Sequence, residues 1–211
     1  MLCNKGDGKL GKGAWILCAV IFLSACSGRN QTETMNTGGN ENTAEGKTEE
    51  IAGDLHAPWS IQKHGDVFYI NERSGSIKVI EDGTVKEEKV HFSEKLSSRP
   101  ESGFLGFLLA PDFKESAKAY AYYTYDRNDQ PYNRIVILNR QEEGWNEKEV
   151  LLDDIPSGQF HHGGRLEFGM DGKLYAATGD ALQEDQAQNK ESLSGKILRM
   201  NLNGTVPDDN P

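Results

Sequence analysis

A β-hairpin predicted at residues 159–180 (QFHHGGRLEFGMDGKLYAATGD) constrains the fold of this chain more than any other feature. Residues 165–168 and 173–178 alternate between apolar and polar side chains, and the Met-Asp-Gly sequence between them is typical of a tight turn. Each strand spans roughly 17 to 20 Å, so the hairpin returns both of its ends to the same edge of a sheet. His161 and Asp180 are therefore expected at one rim, where an imidazole base and an orienting carboxylate can act together.

The first 25 residues have the organisation of a bacterial export signal. Three lysines precede an apolar stretch, residues 14–25, which is too short for an ordinary membrane span. The sequence LSAC ending at Cys26 resembles the cleavage box of bacterial lipoproteins, in which the cysteine is diacylated and becomes the new N-terminus. We therefore predict a lipoprotein signal peptide over residues 1–25, lipidation at Cys26, and an extracytoplasmic protein that is lipid-anchored to the bacterial cell membrane. The alternative is an ordinary signal peptide that ends near a cysteine.

Residues 26–50 are predicted to form a disordered tether, because the segment lacks aromatic residues and is rich in Asn, Thr, Gly and Glu. The formal net charge of the whole chain is -10. Such a surface repels nucleic acid and anionic lipid, so we expect no nucleic-acid partner and membrane attachment through the lipid anchor only. All three cysteines lie within the first 26 residues, and the folded part therefore has no disulfide.

The remaining residues, 51–211, predict many short strands separated by turns and no long helix. A faint internal repeat accompanies this pattern, since the sequence GDVFY that ends at Tyr69 is similar to the sequence DGKLY that ends at Tyr175. The two tyrosines are 106 positions apart, which suits two or more propeller blades of about 40 to 50 residues each. Alternation after a turn is common in any antiparallel sheet, so the repeat by itself is weak evidence for a propeller.

Several ordered blocks carry a resemblance to a known family. They are the HHGGRL hairpin with the SGKILR that follows it, PWSI and YINERSGSIKVI within residues 58–80, and ESGFLGFLLAPDF at residues 101–113. Together they resemble the soluble quinoprotein sugar dehydrogenases, the glucose and aldose sugar dehydrogenases that use pyrroloquinoline quinone (the glucose/sorbosone dehydrogenase domain). The resemblance implies an all-β, six-bladed β-propeller. Residues 51–211 would form its N-terminal part, with the first three to four blades.

The resemblance also implies roles for three residues. His161 falls on the general base of the family, which takes the proton of the anomeric hydroxyl while hydride passes to the quinone, and a neutral imidazole suits that task. Asp180 falls on the aspartate that orients this base. Glu101 falls where the family usually carries a glutamine that reaches the cofactor or the sugar, so we predict a substrate or cofactor contact there. In the structural alternative, His161 is a turn residue and Asp180 caps a loop.

Two neighbouring residues are weaker candidates. If the histidine pair is extended, only one of the two side chains can point into the site, and His162 is then expected to point away. Arg165 is interpreted as an anchor of its blade through backbone carbonyls in preference to a catalytic group. A zinc site at the histidine pair is disfavoured because no third ligand is evident and no cysteine is available, so no metal ligand is predicted in this chain.

The resemblance further implies pyrroloquinoline quinone (PQQ) and Ca²⁺ as cofactors and an aldose sugar, oxidised at its anomeric carbon to a lactone, as substrate. In the family the cations that hold the quinone and the calcium-binding loop lie in later blades, so their ligands are expected in a C-terminal part that residues 1–211 do not include. These residues alone are therefore expected to be inactive. The sequence gives no indication of the electron acceptor. Two alternatives stay open, namely a propeller module that binds carbohydrate or protein without catalysis, and a calcium-dependent lactonase.

We expect the substitution Cys26→Ser to abolish fatty-acid labelling of the protein, because it removes the sulfur that would be acylated. Metabolic labelling with a radioactive fatty acid in the bacterial host measures this. The variant Cys18→Ser removes another cysteine of the leader and should retain the label. Label that persists in Cys26→Ser would contradict the prediction.

Overall fold

The computed structural model describes residues 48–210. The predicted signal peptide, the lipidation site at Cys26 and nearly all of the predicted tether lie outside the described residues. Within them the chain forms eleven strands, whose bounds are β1 Pro58–His64, β2 Val67–Glu72, β3 Ser76–Glu81, β4 Thr84–His91, β5 Phe104–Leu109, β6 Lys118–Arg127, β7 Gln130–Gln141, β8 Gly144–Pro156, β9 Gly163–Phe168, β10 Leu174–Thr178 and β11 Ile197–Met200.

Helical structure in the described residues is limited to a four-residue helix, α1 (Phe113–Ser116), and a 3-10 turn at Glu184–Gln188. None of the helices formed by residues 48–210 has the length and apolar character that are needed to cross a membrane. The prediction of an all-β fold without long helices is confirmed.

The strands form consecutive up-and-down meanders. Strands β1 to β4 pair in chain order, as do β5 to β8, and β10 pairs with both β9 and β11. All of these pairs are antiparallel. The first strands of the three meanders, β1, β5 and β9, contact one another in that order. Four-stranded meanders placed side by side around their first strands are the blades of a β-propeller. The propeller prediction is confirmed, with two four-stranded blades and three strands of a third in residues 48–210.

The second meander is buried on both of its faces. Tyr123 and Val136 belong to the apolar cluster that it shares with the first meander, whereas Tyr122 and Ile135 belong to the cluster that it shares with the third. Because both faces are covered, β6 reads KAYAYYTYDR, with apolar or aromatic residues at consecutive positions and no simple alternation. The core of the molecule thus consists of two apolar layers, one on each side of the second meander.

A buried carboxylate joins the first two meanders. Glu88 on β4 is almost fully buried and accepts two hydrogen bonds from the Arg140 guanidinium, at 2.9 and 2.7 Å, and one from the Trp145 indole N–H at 2.9 Å. Arg140 also donates to the Tyr69 hydroxyl at 3.0 Å. Burial alone would raise the pKa of the Glu88 carboxyl, but the hydrogen bonds from Arg140, together with those from Lys86 and Trp145, outweigh burial and hold this pKa below its ordinary value.

One strand differs from what alternation predicts. The sequence pattern indicates only residues 149–152 as a strand, whereas β8 runs over Gly144–Pro156. The register between β7 and β8 shifts at three places, and each shift interrupts the apolar and polar alternation on which the prediction depends. The internal repeat, in contrast, has a structural counterpart, because Tyr69 and Tyr175 both lie on the second strand of their meander.

We expect Glu88→Ala to lower the free energy of unfolding by about 3 kcal/mol, because it leaves the Arg140 guanidinium and the Trp145 N–H without their acceptor. Urea unfolding followed by circular dichroism measures this. The matched control is Glu87→Ala, since Glu87 lies on the same strand but pairs with Lys78 and has a half-exposed side chain. The control should lose much less stability than Glu88→Ala, because its ion pair is screened by solvent. Equal losses in the two variants would contradict the assigned role of Glu88.

Candidate active site

His161 and Asp180 meet at one end of the β9–β10 hairpin. His161 lies two residues before β9 and Asp180 two residues after β10. The distance between His161 Nδ1 and Asp180 Oδ1 is 2.9 Å. The His161 side chain is 54% exposed and the Asp180 side chain 25% exposed, so the pair lies at a surface that a ligand can reach. The two residues that the sequence predicts as base and partner are in hydrogen-bond contact.

Asp180 is held as an ionised acceptor. The hydrogen bond from His161, followed by a hydrogen bond from the Leu182 backbone N–H at 3.0 Å, lowers the pKa of the Asp180 carboxyl below its ordinary value. Because an ionised carboxylate can only accept, the proton of the neutral imidazole lies on Nδ1. His161 Nε2 then carries a lone pair, and it makes no hydrogen bond with any of the described residues. This arrangement suits a proton acceptor.

Glycine at position 179 lets the two ends of the hairpin approach closely. A Cβ atom at Gly179 would overlap the backbone carbonyl oxygen of His161, and one at Gly163 would lie 2.5 Å from the Gly179 nitrogen. The Gly179 backbone N–H donates to the His162 carbonyl oxygen at 3.3 Å. The glycines of the HHGG and TGD sequences are therefore sterically required for His161 to lie beside Asp180.

Glu101 reaches the same site from the loop before β5. Its carboxylate Oε2 accepts a hydrogen bond from the His161 backbone N–H at 3.1 Å. The next residue fixes this loop, because the Ser102 hydroxyl donates to the backbone carbonyl of Ser97 at 2.9 Å. The structure thus brings together Glu101, His161 and Asp180, while the fourth predicted site residue, Cys26, lies outside the described residues. The roles of these residues remain predictions.

His162 is a buried structural residue. Only 2% of its surface is exposed. Its ring nitrogens lie 2.9 Å from the Pro100 carbonyl oxygen and 2.6 Å from the Ser157 hydroxyl, and its own carbonyl oxygen accepts from the Tyr122 hydroxyl at 2.8 Å. Because a carbonyl can only accept, Nε2 carries the proton and Nδ1 accepts from Ser157. The sequence does not indicate this buried role for His162. Pro100 is 62 residues away in the chain, and Ser157 belongs to no motif that would mark it as a partner.

Burial, the largest influence, lowers the pKa of His162 below its ordinary value, against the opposing effect of its hydrogen bond to the Pro100 carbonyl. The imidazole is therefore neutral in the folded protein at neutral pH. The neighbouring residue His161 has different surroundings. Its side chain is exposed, and its one side-chain partner among the described residues is a carboxylate.

Among residues 48–210, Arg165 makes none of the contacts expected of a blade anchor. Its side chain is exposed on β9 and makes no hydrogen bond or ion pair with the rest of the described chain, which corrects the interpretation of Arg165 as a blade anchor. It lines a cavity of about 340 Å³ together with Trp59 and apolar residues of the first meander.

The described residues contain no group of three or more His, Cys, Asp or Glu side chains arranged to hold a metal ion. The several acidic ligands that a calcium-dependent lactonase requires are therefore not found between residues 48 and 210. Calcium stays an expectation for this protein.

A family profile described as glucose / sorbosone dehydrogenase matches residues 55–211. The chain belongs to this family. The resemblance drawn from the hairpin and the accompanying blocks is thereby confirmed. Quinoprotein glucose dehydrogenase B of Acinetobacter calcoaceticus is 28% identical over 174 residues, which cover 70% of this chain and 35% of that protein.

Two solved structures resemble the chain. The PQQ-bound aldose sugar dehydrogenase of Streptomyces coelicolor has a TM-score of 0.70 and 31% identity, covering 77% of this chain and 50% of its own. An oxidoreductase of Thermus thermophilus, described as a glucose dehydrogenase, has a TM-score of 0.70 and 36% identity, covering 77% of this chain and 49% of its own. The chain therefore spans about half the length of these solved structures.

We expect His162→Phe to lower the free energy of unfolding by about 2 kcal/mol at pH 7.5, because the Ser157 hydroxyl and the Pro100 carbonyl lose their buried partner. The difference from the native chain should narrow as the pH falls below about 6.5. Below that pH the imidazole of His162 is protonated in the unfolded state but not in the folded state, where its pKa is lowered. The wild-type protein therefore loses stability as the pH falls, whereas the His162→Phe variant, which has no imidazole at this position, does not.

Urea unfolding at pH 7.5 and at pH 5.5 measures both effects. His91→Phe, a substitution at an exposed histidine at the end of β4, is the control and should leave the stability nearly unchanged. A difference between native chain and His162→Phe that stays constant over this pH range would show that His162 is not kept neutral.

Proposed function

We propose that the protein is a PQQ-dependent sugar dehydrogenase that oxidises the anomeric carbon of an aldose to a lactone, with His161 as the general base. The observation that carries this proposal is the His161–Asp180 pair, whose Nε2 lone pair is open to a ligand. Family membership supports the reaction class, since the named relatives are glucose and aldose sugar dehydrogenases. The identity of the sugar is not part of the proposal.

In the proposed reaction the anomeric hydroxyl of the sugar donates its proton to His161 Nε2. Nδ1 already carries a proton, so the imidazole becomes an imidazolium that is paired with Asp180 across 2.9 Å. The lowered pKa of Asp180 keeps its carboxyl ionised, so this group stabilises the new charge without taking the proton. Pyrroloquinoline quinone, when bound, supplies the acceptor for the hydride that leaves the anomeric carbon.

The groups that meet at His161 suit a sugar better than they suit the quinone. The two side chains that contact His161 are the carboxylates of Glu101 and Asp180. Carboxylates accept hydrogen bonds from sugar hydroxyls, whereas a cofactor with three carboxylates needs cations around it. The three residues therefore do not fit the quinone by themselves, and we assign Glu101 to the sugar.

We also propose that the protein is exported and anchored through lipid at Cys26, and that it acts outside the cytoplasm. The support for this part is the composition of the first 26 residues. Calcium is proposed as a second cofactor on the family resemblance alone.

We expect His161→Ala to lower kcat at least about a hundredfold, the usual scale for loss of a general base. Asp180→Asn should lower kcat less, because Asp180 orients the base and does not transfer the proton. The measurement is PQQ-dependent and Ca²⁺-dependent dye reduction by the complete gene product with several aldoses.

The control is His91→Ala, which removes an exposed histidine far from the hairpin in sequence and should keep full activity. If the native protein binds an aldose but His161→Ala turns it over at an unchanged rate, His161 is not the base. If the native protein shows no turnover but binds carbohydrate or a protein partner, the binding-module alternative replaces the proposal.

A further inference from the structure

The arginines of the described residues divide into two groups. Five of the seven make an ion pair with a carboxylate, and these are Arg99, Arg127, Arg134, Arg140 and Arg199. The other two, Arg73 and Arg165, have no carboxylate partner among residues 48–210.

Both of these arginines adjoin the same tryptophan. The Arg73 guanidinium lies over the Trp59 ring, 5.5 Å from its centroid, and Arg165 lines the same cavity as Trp59. The Arg73 Nε donates to the Ser102 backbone carbonyl at 2.9 Å, which fixes the guanidinium beside the ring and leaves its two terminal nitrogens without a hydrogen bond to any described residue. The Arg73 guanidinium thus packs on the indole, and Arg165 lines the cavity of which the indole is one wall.

The cavity is largely apolar apart from this charge. Its volume is about 340 Å³, and its lining consists of Leu55, Pro58, Trp59, Ser60, Ile61, Ile70 and Arg165. Arg165 is the charged member of that lining, and no carboxylate belongs to it. Trp59 is 39% exposed and Ile61 is 55% exposed, so the apolar wall is accessible. A small pocket of this size with a flat apolar wall and one well-placed cation is typical of a ligand site.

We propose that this cavity is a binding site for a planar aromatic carboxylate. The ring of the ligand packs against Trp59 and the isoleucines, and its carboxylate pairs with the Arg165 guanidinium, a planar group that matches a carboxylate with two hydrogen bonds. Arg73 contributes a second positive charge beside the ring. The chemistry is shared by simple aromatic acids and by a conjugated quinone carboxylate. Neither His161 nor Asp180 lines the cavity, and its occupation does not require sugar oxidation.

Benzoate is the probe, titrated into the purified 211-residue chain without quinone or sugar. Trp59 is a built-in reporter once Trp15 of the predicted signal peptide is replaced (Trp15→Phe), because Trp145 is fully buried in the core. We expect a saturable change in tryptophan fluorescence with a Kd on the order of 1 mM, the affinity expected for so small a ligand. The uncharged isostere benzamide should bind at least about tenfold more weakly, because it cannot form the charge-assisted pair. Absence of benzoate binding, or equal binding of benzamide, would overturn the proposal.

Variants locate the site. Arg165→Gln should weaken benzoate binding at least about tenfold, and Arg165→Lys should weaken it less because it keeps the charge. Arg127→Gln is the matched control, since it removes one positive charge from an exposed arginine elsewhere on the chain and should leave benzoate binding unchanged. Trp59→Phe should abolish the fluorescence change while calorimetry still detects weak binding. Unchanged affinity in a folded Arg165→Gln would place benzoate elsewhere and contradict the assignment.

The source of the natural ligand is decided by competition. If pyrroloquinoline quinone displaces benzoate in the native chain, the site accepts the quinone. If the quinone does not displace it, the site serves another aromatic acid. Should Arg165→Gln fail to fold by circular dichroism, the comparison of benzoate with benzamide on the native chain still decides between a charged site and none. Failure of sugar oxidation by His161→Ala has no bearing on any of these results.

Discussion

The candidate site depends on one close contact between backbone segments. Gly179 lies against the backbone carbonyl of His161, where a Cβ atom would overlap the oxygen, and Gly106 on β5 lies in the same way against the carbonyl of Gly164. The contact at Gly106 lets the third blade pack against the second, and the contact at Gly179 sets the distance between the two ends of the hairpin. Any side chain at these positions would force the strands apart, and the 2.9 Å distance between His161 and Asp180 would then be lost.

Much of the hairpin could be predicted because its determinants are local. The turn, the alternation on its two strands and the family motif together predict that His161 and Asp180 share one rim, and the structure has them in contact. The reason for the opposite orientation of the two histidines is different from the expected one. His161 is not extended but has a left-handed backbone with φ of 61°. This local reversal, and not strand alternation, leaves His161 exposed while His162 enters the core.

The remaining features could not be predicted because they depend on contacts between residues distant in the chain. The partners of Glu88 lie 52 and 57 residues away, and Pro100 lies 62 residues before His162. No pattern within one strand indicates such pairs, since each is created by the packing of one blade on another. The same holds for Arg165, because its lack of a carboxylate partner among residues 48–210 depends on how the described blades pack together.

The hydrogen bond from the His161 backbone N–H to Glu101 clarifies the departure of this chain from the glutamine that the family usually carries. A glutamine can accept the same hydrogen bond through its amide oxygen, so the contact that fixes the backbone does not by itself require an acid. What the glutamate adds is a negative charge beside the His161 backbone. The same charge disfavours an anionic cofactor group at this place, which is consistent with assigning Glu101 to the sugar and cationic binding groups to other parts of the protein.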